Sequence, residues 1–284
     1  MTAQPDRPVA AIADPYSSGA YLAAEFAARG WASVAVLSSP VAPAAYGALQ
    51  DPGQYQAVLA GRDTGELARV AAPYGPRVVI PGTETGVPVA DQLAEYFGTP
   101  GNGVALSASR RDKPAMARTL SAAGIAAPAT VTATRAEEII AWAHATAGWP
   151  VVVKPVDSAG SDGVTFCHSP DEVRRTFARL YDRPHQLGGD VRVLLGQELL
   201  RGQQYLVNTV SVGGAHYTAE IWKDVRRPVE GASLAYDTED LLAPHGEIQD
   251  LLTGYVATVL DALGIAGTGR PGGRRSRRPA WNAS

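Results

Sequence analysis

A lysine closes the run Val151-Val152-Val153-Lys154-Pro155, and a small polar segment with two glycines, 156–163, follows before Val164. The pattern predicts a strand, a lysine at its end, a flexible loop and a second strand. A lysine at a strand end is a cation with a fixed base. A loop carrying Ser158, Gly160, Ser161 and Gly163 can turn its backbone N–H groups around phosphate oxygens. The sequence holds no GxxxxGK[ST], so this is not a Walker-type phosphate loop. Taken alone, the same residues also suit an ordinary hairpin turn.

The elements around that loop must be read from 284 residues, enough for two domains or one large one. With 45% apolar and 19% charged residues the chain suits a packed globule. A net charge of −3 gives no reason to expect a nucleic-acid partner. Cys167 is the single cysteine, which excludes an intrachain disulfide and a cysteine-based metal site. The five histidines show no metal-ligand spacing. No signal peptide and no apolar run of membrane-spanning length is expected, so the predicted location is cytoplasmic, with no membrane partner. Charge is unevenly spread. Gly267 to Ser284 holds five arginines and no acid, and without those five the balance falls from 25 cations against 28 anions to 20 against 28.

Strands are predicted at Val9–Ala13, Ser33–Leu37 and Arg77–Ile80, and helices at Ala20–Arg29, Thr64–Ala72 and Val87–Phe97. Strands alternating with helices predict a doubly wound α/β domain with a parallel sheet, whose ligands bind at the strand C-termini. A helix at Arg111–Ala123 follows, opened by Asp112 and Pro114. Capping boxes at Thr134–Glu137 and Ser169–Glu172 open two more helices. Strands are expected at Val191–Leu195, Glu198–Leu200, Tyr205–Val212 and His216–Trp222, and a last helix at Glu247–Leu263.

Four motifs in this order carry a resemblance. Asp14-Pro-Tyr-Ser-Ser-Gly19 and Pro81-Gly-Thr-Glu-Thr-Gly86 are two loops of the first domain. Arg110-Arg-Asp-Lys-Pro-Ala-Met116, followed by Gly124-Ile-Ala-Ala-Pro128, is a lysine helix. Val153-Lys-Pro155 with Gly160-Ser-Asp-Gly-Val164 is the second lysine and loop. Gln197-Glu-Leu-Leu-Arg-Gly-Gln-Gln-Tyr205 is a hinge. Together they resemble the ATP-grasp superfamily, in particular carboxylate–amine ligases of the L-amino-acid ligase type. The resemblance implies an N-terminal doubly wound (pre-ATP-grasp) domain, 1–108, followed by an incomplete ATP-grasp α+β domain. That domain would have a small lobe at 109–190, a partial large lobe at 191–266 and a basic, disordered tail at 267–284.

It also implies roles. Lys113 and Lys154 would bring two cations to the ATP phosphates, and Ser158, Gly160, Ser161 and Gly163 would close over them. Gln197 would accept from the adenine amino group, and Glu198 and Leu200 would offer backbone groups to its edge. Gln204 stands where the family has a ribose-binding glutamate, and Asn208 where relatives carry an aspartate. Arg226, with Lys223 and Arg227, would meet phosphate or a substrate carboxylate; a solvated loop is the alternative. Glu84 would shape the acceptor-substrate site, or else is a helix-start acid.

The implied reaction is ATP-dependent amide or peptide bond formation through an acyl phosphate. Its partners would be small carboxylates and amines, amino acids among them, and a homodimer is left open. The family's magnesium ligands are expected on strands after the last helix. Here no acid follows Asp261 and no strand pattern follows Leu263. The expectation is therefore a truncated chain, its tail a shifted reading frame, with no protein-held metal and Mg²⁺ carried by ATP. Two rivals stand beside the ligase. One is a non-catalytic ATP-binding module, a degenerate ligase. The other is a dinucleotide-binding oxidoreductase, which lacks its GxGxxG.

Overall fold

The computed structural model describes residues 7–44, 46–156, 163–183, 191–227 and 237–266. It describes the backbone alone at 228–229, 232–236, 268–269, 272–275 and 281–283. Two compact units, Met1–Ala108 and Ser109–Ser284, make up the chain.

The first unit is a parallel sheet with helices on both faces. Its elements are β1 (Val9–Ala13), α1 (Leu22–Ala28), β2 (Ala32–Leu37), β3 (Ala57–Ala60), α2 (Thr64–Ala71), β4 (Pro76–Pro81) and α3 (Val87–Phe97). The strand order is β3-β2-β1-β4, all parallel. Every residue of β1 is buried, which is why it reads as an unbroken apolar run rather than an alternation. Val9, Ala11 and Ala13 pack with Leu67 of α2 and Leu93 of α3. Ile12, on the opposite face, packs with Ala23 of α1 and with Tyr55. The doubly wound architecture expected from the sequence is present. Strand β3, four residues long, was too short to register as a period.

The second unit contains α4 (Lys113–Ala122), β5 (Thr130–Ala133), α5 (Ala136–Trp142), β6 (Val151–Pro155), β7 (Thr165–Cys167), α6 (Pro170–Leu180) and β8 (Leu194–Glu198). There follow β9 (Gln204–Val212), β10 (Ala215–Val229), β11 (Ala232–Leu241) and α7 (Glu247–Ala262). A four-stranded antiparallel sheet runs β5-β8-β6-β7. Val151, Val153 and Leu194 bury one face of it against Ile139 of α5 and Phe177 of α6. The second sheet, β11-β10-β9, packs Val207 and Ile221 on Leu252, Val256 and Leu260 of α7. Leu120 of α4 meets Val259 and Leu263, which joins the two helices.

Several expectations are corrected. One strand, β8, replaces the two predicted at Val191–Leu195 and Glu198–Leu200. Strands β5 and β11 were not expected. The N-cap of α5 is Arg135, not Thr134, and Glu138 rather than Glu137 closes the box, its Oε2 accepting from the Thr134 N–H at 2.9 Å. The sequence placed no strand after Leu263, yet the backbone of Thr268–Gly269 and Gly272–Arg275 pairs antiparallel with β9.

Candidate functional site

Strand register builds a cleft in the second unit. Gln197 pairs with Thr130 of β5 on one side and with Val152 of β6 on the other. Paired residues share a face, and so does the residue two further along. Lys154 therefore stands on the same face as Gln197 and Thr130, away from the α5 and α6 core. It is a diagonal neighbour of Gln197, with about 7–8 Å between Cα atoms.

Helix α4 supplies the opposite wall. Asp112 caps it, its Oδ1 accepting from the Ala115 N–H at 2.6 Å, and Pro114 sits in the first turn. The cap fixes Lys113 as the first helical residue. Met116, Ala117 and Leu120 follow at i+3, i+4 and i+7 on the same face. Lys113, Met116, Ala117, Leu120, Thr130, Lys154 and Gln197, with Ala127 and Pro128, line one cleft of about 320 Å³ that opens to solvent. Two cations, one amide and the Thr130 hydroxyl in an otherwise apolar slot suit a flat, uncharged ring that carries an anionic chain.

The second sheet offers a polar face. Its apolar residues Val207 and Ile221 turn to α7, so Gln204, Asn208, Glu220, Asp224 and Arg226 alternate onto the other side. Register places Asp224 opposite Gln204 and Glu220 opposite Asn208. The Asn208 Nδ2 donates to Glu220 Oε1. Arg226 Nε donates to Asp224 Oδ2 at 2.8 Å, with the Asp224 side chain fully buried. The Gln203 amide donates to the carbonyls of Gln204 and Asp224, at 2.9 and 2.7 Å, and so ties the two strands together.

No family model matches the chain. Dapdiamide A synthase of Enterobacter agglomerans is 30% identical over 263 residues, 92% of this chain and 62% of that protein. The L-amino acid ligase of Bacillus licheniformis superposes with a TM-score of 0.73 at 15% identity, covering 98% of this chain and 66% of that one. N5-carboxyaminoimidazole ribonucleotide synthetase, crystallised with ADP, gives 0.72 at 14% identity, covering 100% and 71%. D-alanine–D-alanine ligase of Bacillus anthracis, crystallised with ATP, gives 0.63 at 15% identity, covering 98% and 84%.

The chain has the ATP-grasp fold. It spans 62% of the length of the curated relative.

The ATP-grasp frame places the predicted residues unequally. Lys113, Lys154 and Gln197 come together in the cleft. Ser158, Gly160 and Ser161 lie outside the described residues. Gly163 is described, with a positive φ of 68°, and an added Cβ there would sit 2.8 Å from Arg183 Nη2 and 3.0 Å from Pro155 Cδ. Only glycine fits that exit from the loop. The Glu198 N–H donates to the Ala129 carbonyl at 2.9 Å, and its Oε2 accepts from the Ala129 N–H at 3.3 Å. Its N–H is thus engaged within the fold. Leu200 is buried. Gln204 opens β9 and faces the same side as Arg226. Arg227 forms an exposed ion pair with Asp237 across β10 and β11 at 2.9 Å.

Glu84 belongs to the first unit, at the start of a short helical turn, Glu84–Gly86, after β4. In that unit the loops after β1 and β4 interlock, since a Cβ on Gly19 would lie 2.4 Å from the Gly82 carbonyl oxygen. The Asp14 carboxylate, fully buried at the end of β1, accepts from the Ser38 N–H at 2.7 Å and hydroxyl at 2.5 Å. The loop after this strand has no GxGxxG, the glycine pattern a dinucleotide's pyrophosphate needs for close backbone approach. From the sequence, no lining role was assigned to Met116, Ala117, Leu120, Ala127, Pro128 or Thr130, although Met116, Ala127 and Pro128 lie within the lysine-helix motif. The i+3, i+4 and i+7 spacing from Lys113 was the available signal for the first three.

Proposed function

We propose that this chain carries the nucleotide-binding machinery of an ATP-dependent carboxylate–amine ligase, which forms an amide or peptide bond through an acyl phosphate. The observation that carries it is the single cleft shared by Lys113, Lys154 and Gln197. The relatives' names support it, since a dapdiamide A synthase and an L-amino acid ligase are both among them.

On this reading the purine lies against Met116, Ala117 and Leu120, and the Gln197 amide meets its edge. Lys113 and Lys154 hold the phosphates, offsetting charge that builds up as the γ-phosphoryl group moves. A substrate carboxylate attacks the γ-phosphorus, the bond to ADP breaks, and an acyl phosphate results. An amine then attacks the acyl carbon, and phosphate leaves. Gln204 holds the ribose and Arg226 an anionic oxygen in transfer. The chain's part is positioning and charge neutralisation. Glu84 shapes the acceptor site.

Among the described residues no three His, Cys, Asp or Glu side chains stand together as a metal site. The described residues do not form a metal cage, and no step is routed through one. Mg²⁺ is taken to enter on the ATP phosphates, a mode in which one or two carboxylates suffice.

ADP release measured across a panel of amino acids, offered in pairs as carboxylate and amine, tests the reading. Amino-acid-dependent release supports it. Tight ATP binding with no release from any pair would leave the non-catalytic ATP-binding module in its place.

A further inference from the structure

The pair Asp224–Arg226 is built unlike a stabilising ion pair. The two residues lie two apart on β10, so their bond joins no distant parts of the chain. Their side chains are 0% and 16% exposed. Burying two charges costs several kcal/mol per ion, by order of magnitude, and is offset only when geometry and hydrogen bonding are complete. Here they are incomplete. Asp224 Oδ2 accepts from Arg226 Nε at 2.8 Å, while Oδ1 is buried with no hydrogen-bond partner among the described residues. A buried acceptor left empty is a cost that stability alone does not explain.

The backbone under the pair is pinned. The Gln203 amide bonds the Asp224 carbonyl at 2.7 Å and the Gln204 carbonyl at 2.9 Å, and Gln204 and Asp224 are cross-strand partners. Asp224 holds the guanidinium at Nε, the nitrogen nearest the stem. A guanidinium is a planar fork, so fixing Nε and the stem fixes the direction of the outer end as well.

We propose that Asp224 is a positioning residue, a buried carboxylate that orients the Arg226 guanidinium for an anionic oxygen of the phosphoryl group in transfer. It rests on the ligase reading and deepens it, because it names the group that sets Arg226. The same neutralising role would be lost if the guanidinium swung freely, since the reaction rewards donors that are already aimed.

Asp224→Asn keeps the size of the side chain and removes its charge. The expected result is a kcat for ADP release lower by about 10–100-fold, the scale of a lost charge-assisted hydrogen bond. The Kd for ATP, measured by titration, should stay within about threefold of wild type. The Asp224→Asn/Arg226→Ala double variant should be no slower than Arg226→Ala alone, since residues acting as one unit are not additive. Multiplicative losses, or a kcat unchanged in Asp224→Asn, would overturn the proposal.

A second readout does not need turnover. The Arg226 Nε–H resonance, assigned in labelled protein by its loss in Arg226→Lys, should be protected from exchange in wild type. In Asp224→Asn it should join the exchanging arginine pool. A resonance that is unprotected in wild type, or unmoved by the variant, overturns the proposal. If wild type releases no ADP with any substrate pair, the ligase reading fails, and the resonance alone decides whether Asp224 orients Arg226. Thermal unfolding of each variant identifies one that simply fails to fold.

Discussion

Lys154 owes its place to strand parity. Val151 and Val153 belong to the core at 0% exposure, so Lys154 cannot also turn inward and must face the cleft with Gln197. That much was legible, because an apolar run ending in a lysine has few arrangements. Gln197 was legible only through its motif, since nothing in its own neighbourhood shows that it is 93% buried beside a cation. Two predictions belong at this scale. Gln197→Leu keeps the volume and removes the amide, and it should weaken ATP binding by about tenfold in a direct titration. Gly163→Ala places a methyl group against Arg183 and Pro155 at a positive φ. It should cost about 1–3 kcal/mol in denaturant unfolding, the range for a residue held in a strained backbone region. A neutral outcome would mean that the loop exit relaxes freely.

At the scale of elements, the cleft depends on where α4 begins. Asp112 was readable as its cap from the pair Asp112 and Pro114, and the structure confirms the bond to Ala115. Asp112→Ala should destabilise the second unit by about 1 kcal/mol and weaken ATP binding as well, because Lys113 is the next residue. Loss of stability with unchanged affinity would separate the cap from the cleft. Another clamp holds β9 and β10 to α7. His216 Nδ1 meets the Ser211 hydroxyl at 2.6 Å, and its Nε2 meets Asp261 at 3.1 Å. No sequence signal links residues 211, 216 and 261, since the contact exists only after the hairpin folds onto the helix. Strands β5 and β11 were illegible for different reasons. β5 is four residues long, and β11 lies at a sheet edge with Asp237, Glu239 and Asp240 exposed, so neither shows a clean alternation. The segment 157–162, the motif that opens the functional argument, lies outside the described residues.

For the molecule as a whole, the doubly wound first unit was readable because its strands are buried on both faces and punctuated by helices. The second unit was readable mainly through its three motifs in order, the lysine helix, the second lysine with its loop, and the hinge. One global prediction follows from buried acids. Burial pushes the Cys167 thiol up, and burial with the nearby Asp14 and Asp51 carboxylates pushes up the Tyr16 and Tyr55 hydroxyls, respectively. Each group holds its proton longer when folded than when unfolded. The stability they contribute is therefore full below the unfolded pKa values and is lost as pH rises through the folded ones. Denaturant midpoints should be level through neutral pH and fall in the alkaline range, from about pH 8.5 upward. Cys167, fully buried, should also resist alkylation at pH 8 until the second unit opens. Lys113, Lys154 and Gln197 are proposed to form one ATP site. Isothermal titration of wild type and Lys154→Ala with ATP and Mg²⁺ tests it most directly. Saturable binding is expected in wild type, weakened by about 10–100-fold in a variant that remains folded. Equal affinity in the two proteins, or no binding in wild type, would contradict it.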